Sequence, residues 1–157
     1  MTASKSAFIS VGTSSPGVRA WAALLRVHAA LVPALDRELQ AAAGLSVAWY
    51  DVLLELASAP ERRLSMSELG ARVVLSRTRV SRVVDELSRA GFVERVAHPS
   101  DRRSTYAAMT AAGGRRFRAA APAYLRGVAD HFAAHLNAAE LATLAAALEH
   151  VLSREKA

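Results

Sequence analysis

The sequence predicts a mainly helical fold with a small β-hairpin wing, arranged as a winged helix-turn-helix between helical ends. Three observations predict it. Of 157 residues, 52% are apolar but only 6% aromatic, with Ala and Leu dominant, a bias that favours helix over sheet. The middle of the chain carries two capped helical segments separated by a tight turn and followed by two short strand-like runs. The charge is also localised. Residues 61–118 hold thirteen Arg and six acids, a net of +7, whereas the rest of the chain nets −1. Every base in that stretch is Arg, whose planar donor fork suits phosphates and guanine edges.

In chain order, residues 1–16 are rich in Ser, Thr and Gly and are expected to form a flexible tail. From residue 18 to about 42, Trp21, Leu24, Leu25, His28, Leu31, Val32, Leu35 and Leu39 recur at helical spacing. Pro33 falls inside the pattern and predicts a kink or a break there. Ser46 is a candidate N-cap for a second helix with Trp49, Val52, Leu53 and Leu56 inward, stopping near Pro60. Ser65, Met66, Ser67 and Glu68 have capping-box form and open a short third helix.

Ser76 caps the next helix, which runs through Val80, Val83, Val84 and Leu87 to Gly91, a residue suited to the left-handed position after a helix. Residues 92–96 and 105–109 have strand character around a His98-Pro99-Ser100-Asp101 turn. Thr110 caps a long helix expected to reach about Leu136, with a kink at Pro122. Asn137 and Glu140 resemble another capping box before a last helix bearing Leu141, Leu144, Leu148, Val151 and Leu152. The domain plan is thus a tail at 1–16, an N-terminal dimerisation helix at 18–44, a winged helix-turn-helix lobe at 46–109, and C-terminal dimerisation helices at 110–155.

Several classes of function fall away. The chain has no cysteine, which excludes disulfides, Cys-based zinc sites and thiol redox sensing. Gly-x-Ser-x-Gly, a phosphate loop and His-Glu-x-x-His are all missing, so no enzyme and no cofactor is expected. The N-terminus lacks a signal-peptide core, and no window approaches ~18 uninterrupted apolar residues, so a cytoplasmic protein without a membrane partner is expected.

The helix opening at Ser76 carries the strongest functional signal. At 100° per residue, Val80, Val83, Val84 and Leu87 share one side. Thr78, Ser81, Arg82, Asp85 and Arg89 take the other, flanked by Arg77 and Arg79. Small hydroxyls and Arg near a helix start suit base edges in a major groove. The expected DNA-facing set is Ser65, Ser67, Ser76, Arg77, Thr78, Arg79, Ser81 and Arg82, joined by Arg102 and Arg103 at the hairpin tip, where a basic finger suits a minor groove. Asp101 would repel DNA, so its expected role is to pair with a nearby Arg and support the wing. An ordinary amphipathic helix bearing Arg for solubility shows the same wheel. The alternative function is a winged-helix module for architectural DNA binding or protein contacts, without effector response.

The run from Asp101 through Arg103 and Thr110 to Gly113 resembles the wing signature of the MarR (multiple antibiotic resistance regulator) family, Asp-x-Arg followed by a strand and Leu-Thr-x-x-Gly, with Met109 in the usual Leu place. Residues 76–87 and 90–95 resemble that family's recognition helix and its Gly-hydrophobic-Val-x-Arg exit. The resemblance covers about residues 18–155. It implies a homodimer built from the first and last two helices, double-stranded DNA operators that are inverted repeats, and more often repression than activation. It also implies that Asp101 braces the wing, that Arg103 enters the minor groove, and that a small aromatic or anionic effector acts as releaser. By residue type the effector candidates are Trp21, His28, Trp49, Tyr50 and Asp51, which describe an ordinary core equally well. The apolar load of the terminal helices needs a cover, which independently favours a dimer over packing among the same helices within one chain. His131 and His135 stand i, i+4 on one expected helix face, a spacing that can bind zinc, but no metal site is assigned.

Overall fold

The computed structural model describes residues 15–97 and 104–155. The expected tail thus lies almost wholly outside the described residues, and Asp101, Arg102 and Arg103 lie outside them entirely. The chain divides into two compact units, 1–34 and 35–157.

Helix α1 (Pro16–Ala43) begins with its proline, two residues earlier than the apolar spacing suggested. Proline suits the first helical position because its missing N–H needs no partner there. Pro33 does not end the helix. It removes one backbone hydrogen bond, which a 28-residue helix survives. In the first unit, Val18, Trp21, Leu24, Leu25 and Val27 are exposed at helical spacing. The whole helix is long and apolar enough, by length and composition alone, to cross a membrane, although charged residues interrupt its apolar runs. It carries Arg19, Arg26, Asp36, Arg37 and Glu38.

The second unit holds the core. Helix α2 (Val47–Ser58) is capped by Ser46, whose Oγ accepts from Trp49 N at 3.1 Å, while Asp36 Oδ1 accepts from Val47 N at 2.8 Å. Together they satisfy two of the orphan donors at the helix start. A 3-10 turn at Pro60–Arg62 then leads into β1 (Arg63–Ser65). Glu61 and Arg62 both sit in the left-handed region, at φ 52° and 54°, a conformation costing non-glycine residues roughly 1–2 kcal/mol each.

Helix α3 (Met66–Arg72) and helix α4 (Arg77–Arg89) form the helix-turn-helix. The wing strands are β2 (Val93–Ala97) and β3 (Thr105–Met109). The expected two-stranded hairpin is in fact a three-stranded antiparallel sheet in the order β1-β3-β2, with Leu64 opposite Ala107 and Arg95 opposite the same residue from the other side. β1 gives no alternation to read because it has three residues and one buried side chain, Leu64.

Helix α5 (Ala111–His131) runs unbroken through Pro122 and ends five residues before the expected Leu136. Asn137 must have extended chain before it to cap the last helix, and the chain leaves α5 at Phe132 through a 3-10 turn at Ala133–His135, with Leu136 extended. The box itself is present. Asn137 N donates to Glu140 Oε2 at 2.9 Å, and Glu140 N donates to Asn137 Oδ1 at 3.0 Å, opening α6 (Ala138–Glu155). Leu39, Tyr50, Leu53, Leu56, Leu69, Val84 and Leu87 are among the buried side chains of one continuous core. Each of its large aliphatics contributes ~1.5–3 kcal/mol by leaving water.

Candidate nucleic-acid interface

The helix-turn-helix is set by its caps. Ser65 Oγ accepts from Glu68 N at 3.2 Å while Glu68 Oε2 accepts from Ser65 N at 2.9 Å, a reciprocal capping box. Ser76 Oγ accepts from Arg79 N at 3.4 Å. At the other end of α4, Phe92 N donates to Leu87 O and Gly91 N to Ser88 O, with Gly91 at φ 76°. This paired closure satisfies orphan carbonyls and needs a left-handed residue, which glycine supplies without penalty.

Val80, Val83, Val84 and Leu87 are buried and anchor α4. Ser67, Ser76, Arg77, Thr78, Arg79 and Arg82 are exposed. Ser65 is half-buried. Among the described residues, Arg77, Arg79 and Arg82 make no ion pair and no side-chain hydrogen bond. The expected set therefore divides by role. Ser65 and Ser76 spend an acceptor lone pair on their helices, while the three arginines and Thr78 have their polar atoms open to solvent.

Ser81 is half-buried rather than open, because Arg95 of β2 reaches over it, with Nη2 donating to Ser81 Oγ at 3.4 Å. Arg95 also binds Asp85 Oδ1 twice, from Nε at 3.1 Å and Nη2 at 2.8 Å. The pair matters electrostatically. Asp85 is an acid on the open face of α4, and Arg95 cancels its charge, so Arg77, Arg79 and Arg82 set the sign of that face. A depression of about 280 Å³ between α3 and α4 is lined by Met66, Ser67, Gly70, Arg77, Val80, Ser81 and Arg95. Sequence reasoning left Arg95 without a role. Its partner lies ten residues back across the Gly91 turn, and no periodicity couples a helix position to a strand position.

A second tie fixes α4 from behind. Trp49 Nε1 donates to Glu86 Oε2 at 2.9 Å, and the Trp49 ring meets Phe92 edge-on, with centroids 6.2 Å apart. Tyr50 is buried, stacked on Tyr124 at 4.3 Å and tilted against Phe117 at 5.0 Å. These two effector candidates thus hold helices together. Asp51 is half-buried, and burial, reinforced by Glu55, raises its carboxyl above the usual range. Burial, reinforced by Asp51, likewise raises Tyr124. Trp21 and His28 are exposed on the first half of α1.

His131 Nε2 lies 2.6 Å from Glu38 Oε1. His135 sits in the 3-10 turn beyond the end of α5, so the expected single helix face carrying both imidazoles does not form. Among the described residues there is no group of three or more His, Asp or Glu positioned to hold a metal ion.

A capped short helix, a four-residue turn, a second capped helix with an arginine-bearing open face, and a three-stranded wing sheet define a winged helix-turn-helix protein. Comparison with known proteins agrees. Residues 43–104 match the MarR family. The HTH-type transcriptional repressor YetL of Bacillus subtilis is 32% identical over 81 residues, 52% of this chain and 48% of YetL, so the chain spans about half the length of the curated relatives it matches. Among solved structures, Sco3205 of Streptomyces coelicolor, a MarR family transcriptional regulator in complex with DNA, superposes with a TM-score of 0.78 at 32% identity, covering 85% of this chain and 83% of Sco3205. AbsC of the same organism, also a MarR family transcriptional regulator, gives 0.79 at 29% identity, covering 90% and 96%. The chain belongs to the MarR family of transcriptional regulators, a family that works without catalysis.

Proposed function

We propose that the protein is a homodimeric, cytoplasmic repressor that reads an inverted-repeat operator in double-stranded DNA and is released by a small aromatic or anionic effector. The observation that carries this reading is the open face of α4: Arg77, Thr78, Arg79 and Arg82 stand clear of the core while valines on the opposite side hold the helix down. That arrangement suits insertion into a major groove, with Arg82 bidentate to a guanine and Thr78 and Ser81 serving bases or phosphates. Ser65, Ser67 and Ser76 stand at or near helix N-termini, where hydroxyls and backbone N–H groups favour phosphate oxygens. Arg102 and Arg103 of the wing take the adjacent minor groove, with Asp101 as their support. Sco3205, similar over most of its length, is a DNA-bound regulator, and YetL is a repressor.

For the effector, Trp49 and Tyr50 are already engaged in packing, which leaves Asp51, Trp21 and His28 as the candidates with uncommitted polar or aromatic surface. The test is selection of bound sites from random duplexes, followed by titration. One palindromic site should bind at least ~10³ times tighter than random DNA. Arg82→Ala should then lose ~1–3 kcal/mol at one base position per half-site and little on random sequence. Equal weakening on all sequences would remove Arg82 from base reading. No preferred site at all would leave the architectural or protein-contact alternative.

A further inference from the structure

The excess positive charge of residues 61–118 is not all on α4. Part of it meets at the other end of the wing sheet, where the turn before β1 approaches the first turns of α5. A Cβ built on Gly114 would lie 3.3 Å from Arg62 Nη1 and 3.5 Å from Arg118 Nη1, so both guanidinium groups rest on the same glycine, within about 7 Å of each other. Gly114 is buried beneath them, while both arginines are exposed on their outer sides. Like charges this close repel, and among the described residues no acid is paired with either. The acid beside Arg62 is Glu61, and its carboxylate is taken by Arg63, which also lies over the Tyr106 ring at 5.1 Å. Arg118 has no acid within a turn on α5, whose first acid is Asp130. Among the described residues neither Arg62 nor Arg118 has an ion pair or a side-chain hydrogen bond.

The backbone adds an independent indication. Glu61 and Arg62 are the described non-glycine residues at positive φ, and they are consecutive. Strain of this kind persists where the surrounding structure or a function holds it. Here it sits at the residue that brings one of the two guanidinium groups to Gly114. The Met109 thioether supplies a flexible apolar wall, 3.6 Å from the same Cβ position.

We propose that Arg62 and Arg118 form an oxyanion site over Gly114, taking a phosphate or carboxylate group whose oxygens bridge the two guanidinium forks. Two planar donor forks with no acceptor among the described residues suit such a group, and its charge offsets their repulsion. The site is separate from the open face of α4 and does not rest on the operator reading. Two sources can present this chemistry, a small organic or inorganic anion and a phosphate of a DNA backbone.

The test uses the full chain, following the Gly114 backbone amide by NMR while inorganic phosphate or benzoate replaces chloride at constant ionic strength. A saturable shift is expected in the wild type. Its midpoint should rise about tenfold or more in Arg62→Gln and in Arg118→Gln, and less in Arg62→Lys, which keeps the charge but loses the fork. A random duplex added to the phosphate-loaded protein assigns the source: displacement of phosphate points to the DNA backbone, and retention points to a small anion. A shift that grows linearly without saturation in the wild type overturns the site, whatever the variants do. Equal midpoints in the wild type and in the folded Gln variants overturn it too.

Discussion

Asp51 shows how a single residue can oppose the fold that contains it. Its carboxyl is half-buried on α2, near Glu55 and Tyr124, and among the described residues no cation or hydrogen-bond donor is set against it. Burial, and after it Glu55, therefore raise its pKa above the usual carboxylate value. The folded chain then binds this proton more readily than the unfolded chain does. Stability attributable to Asp51 accordingly falls as pH rises from the ordinary carboxylate range through the raised folded value. Asp51→Asn removes the charge and keeps the shape. It should raise the unfolding temperature at pH 7, and the advantage should shrink as the medium is acidified toward pH 4, measured by thermal melts at both values. A variant less stable than the wild type at pH 7 would mean that the carboxylate has a stabilising partner. Groups with perturbed pKa cluster at functional sites, which is why the half-buried Asp51 stays among the effector candidates.

Between elements, the joint of β3 and α5 depends on one glycine. A Cβ on Gly113 would fall 2.0 Å from Phe92 O, a backbone atom that cannot swing aside as a side chain could. Phe92 O is itself held, because it accepts from Thr110 N at 3.1 Å, while Thr110 Oγ1 donates to Gly91 O at 2.7 Å and accepts from Gly113 N at 3.0 Å. Helix α5 thus starts with its backbone pressed against the exit of α4. Gly113→Ala should cost ~3 kcal/mol or more, read as a lowered denaturant midpoint, whereas Gly70→Ala, with open space at its Cβ, should not destabilise. Similar stabilities for the two variants would refute the close approach. The sequence makes Gly113 conspicuous as part of a wing motif, but its reason is a contact 21 residues distant and invisible locally. The same division runs through the fold. Helix α4 is legible because its caps and its valine stripe lie within sixteen consecutive residues, 76–91. Strand β1 is illegible because three residues carry no period and its existence depends on pairing with β3 more than forty residues later. In the candidate site, the open arginines can be read from the wheel. The Asp85–Arg95 pair that gives their face its sign, and the half-covered state of Ser81, require a helix and a strand to be in register.

Over the whole chain, charge and apolar surface separate by segment, and that separation is the physical case for a dimer. Outside the turn residue Val74, the large apolar side chains left exposed among the described residues lie on α1, α5 and α6: Val18, Trp21, Leu24, Leu25, Val27, Leu125, Val151 and Leu152. Helix α6 has no buried residue among those described, although Leu141, Leu144 and Leu148 repeat along it. Helices in proteins draw most of their stability from packing an apolar face, so a helix whose apolar stripe is only half covered calls for a partner. In the proposed dimer a two-fold partner would supply the cover and duplicate α4, so that an inverted repeat would be read by two equivalent helices about one DNA turn apart. The wild type should therefore sediment at twice the chain mass at micromolar concentration. Val151→Glu with Leu152→Glu should shift it toward the monomer while leaving the core of residues 45–109 intact by circular dichroism. Because the second half-site is then bound without the linkage to the first, affinity for the full inverted repeat should fall by ~10²-fold or more, and affinity for a single half-site should change little. A wild-type chain that sediments as a monomer yet holds the inverted repeat as tightly would mean that these faces are covered in some other way, and that the two-fold reading of the operator is wrong.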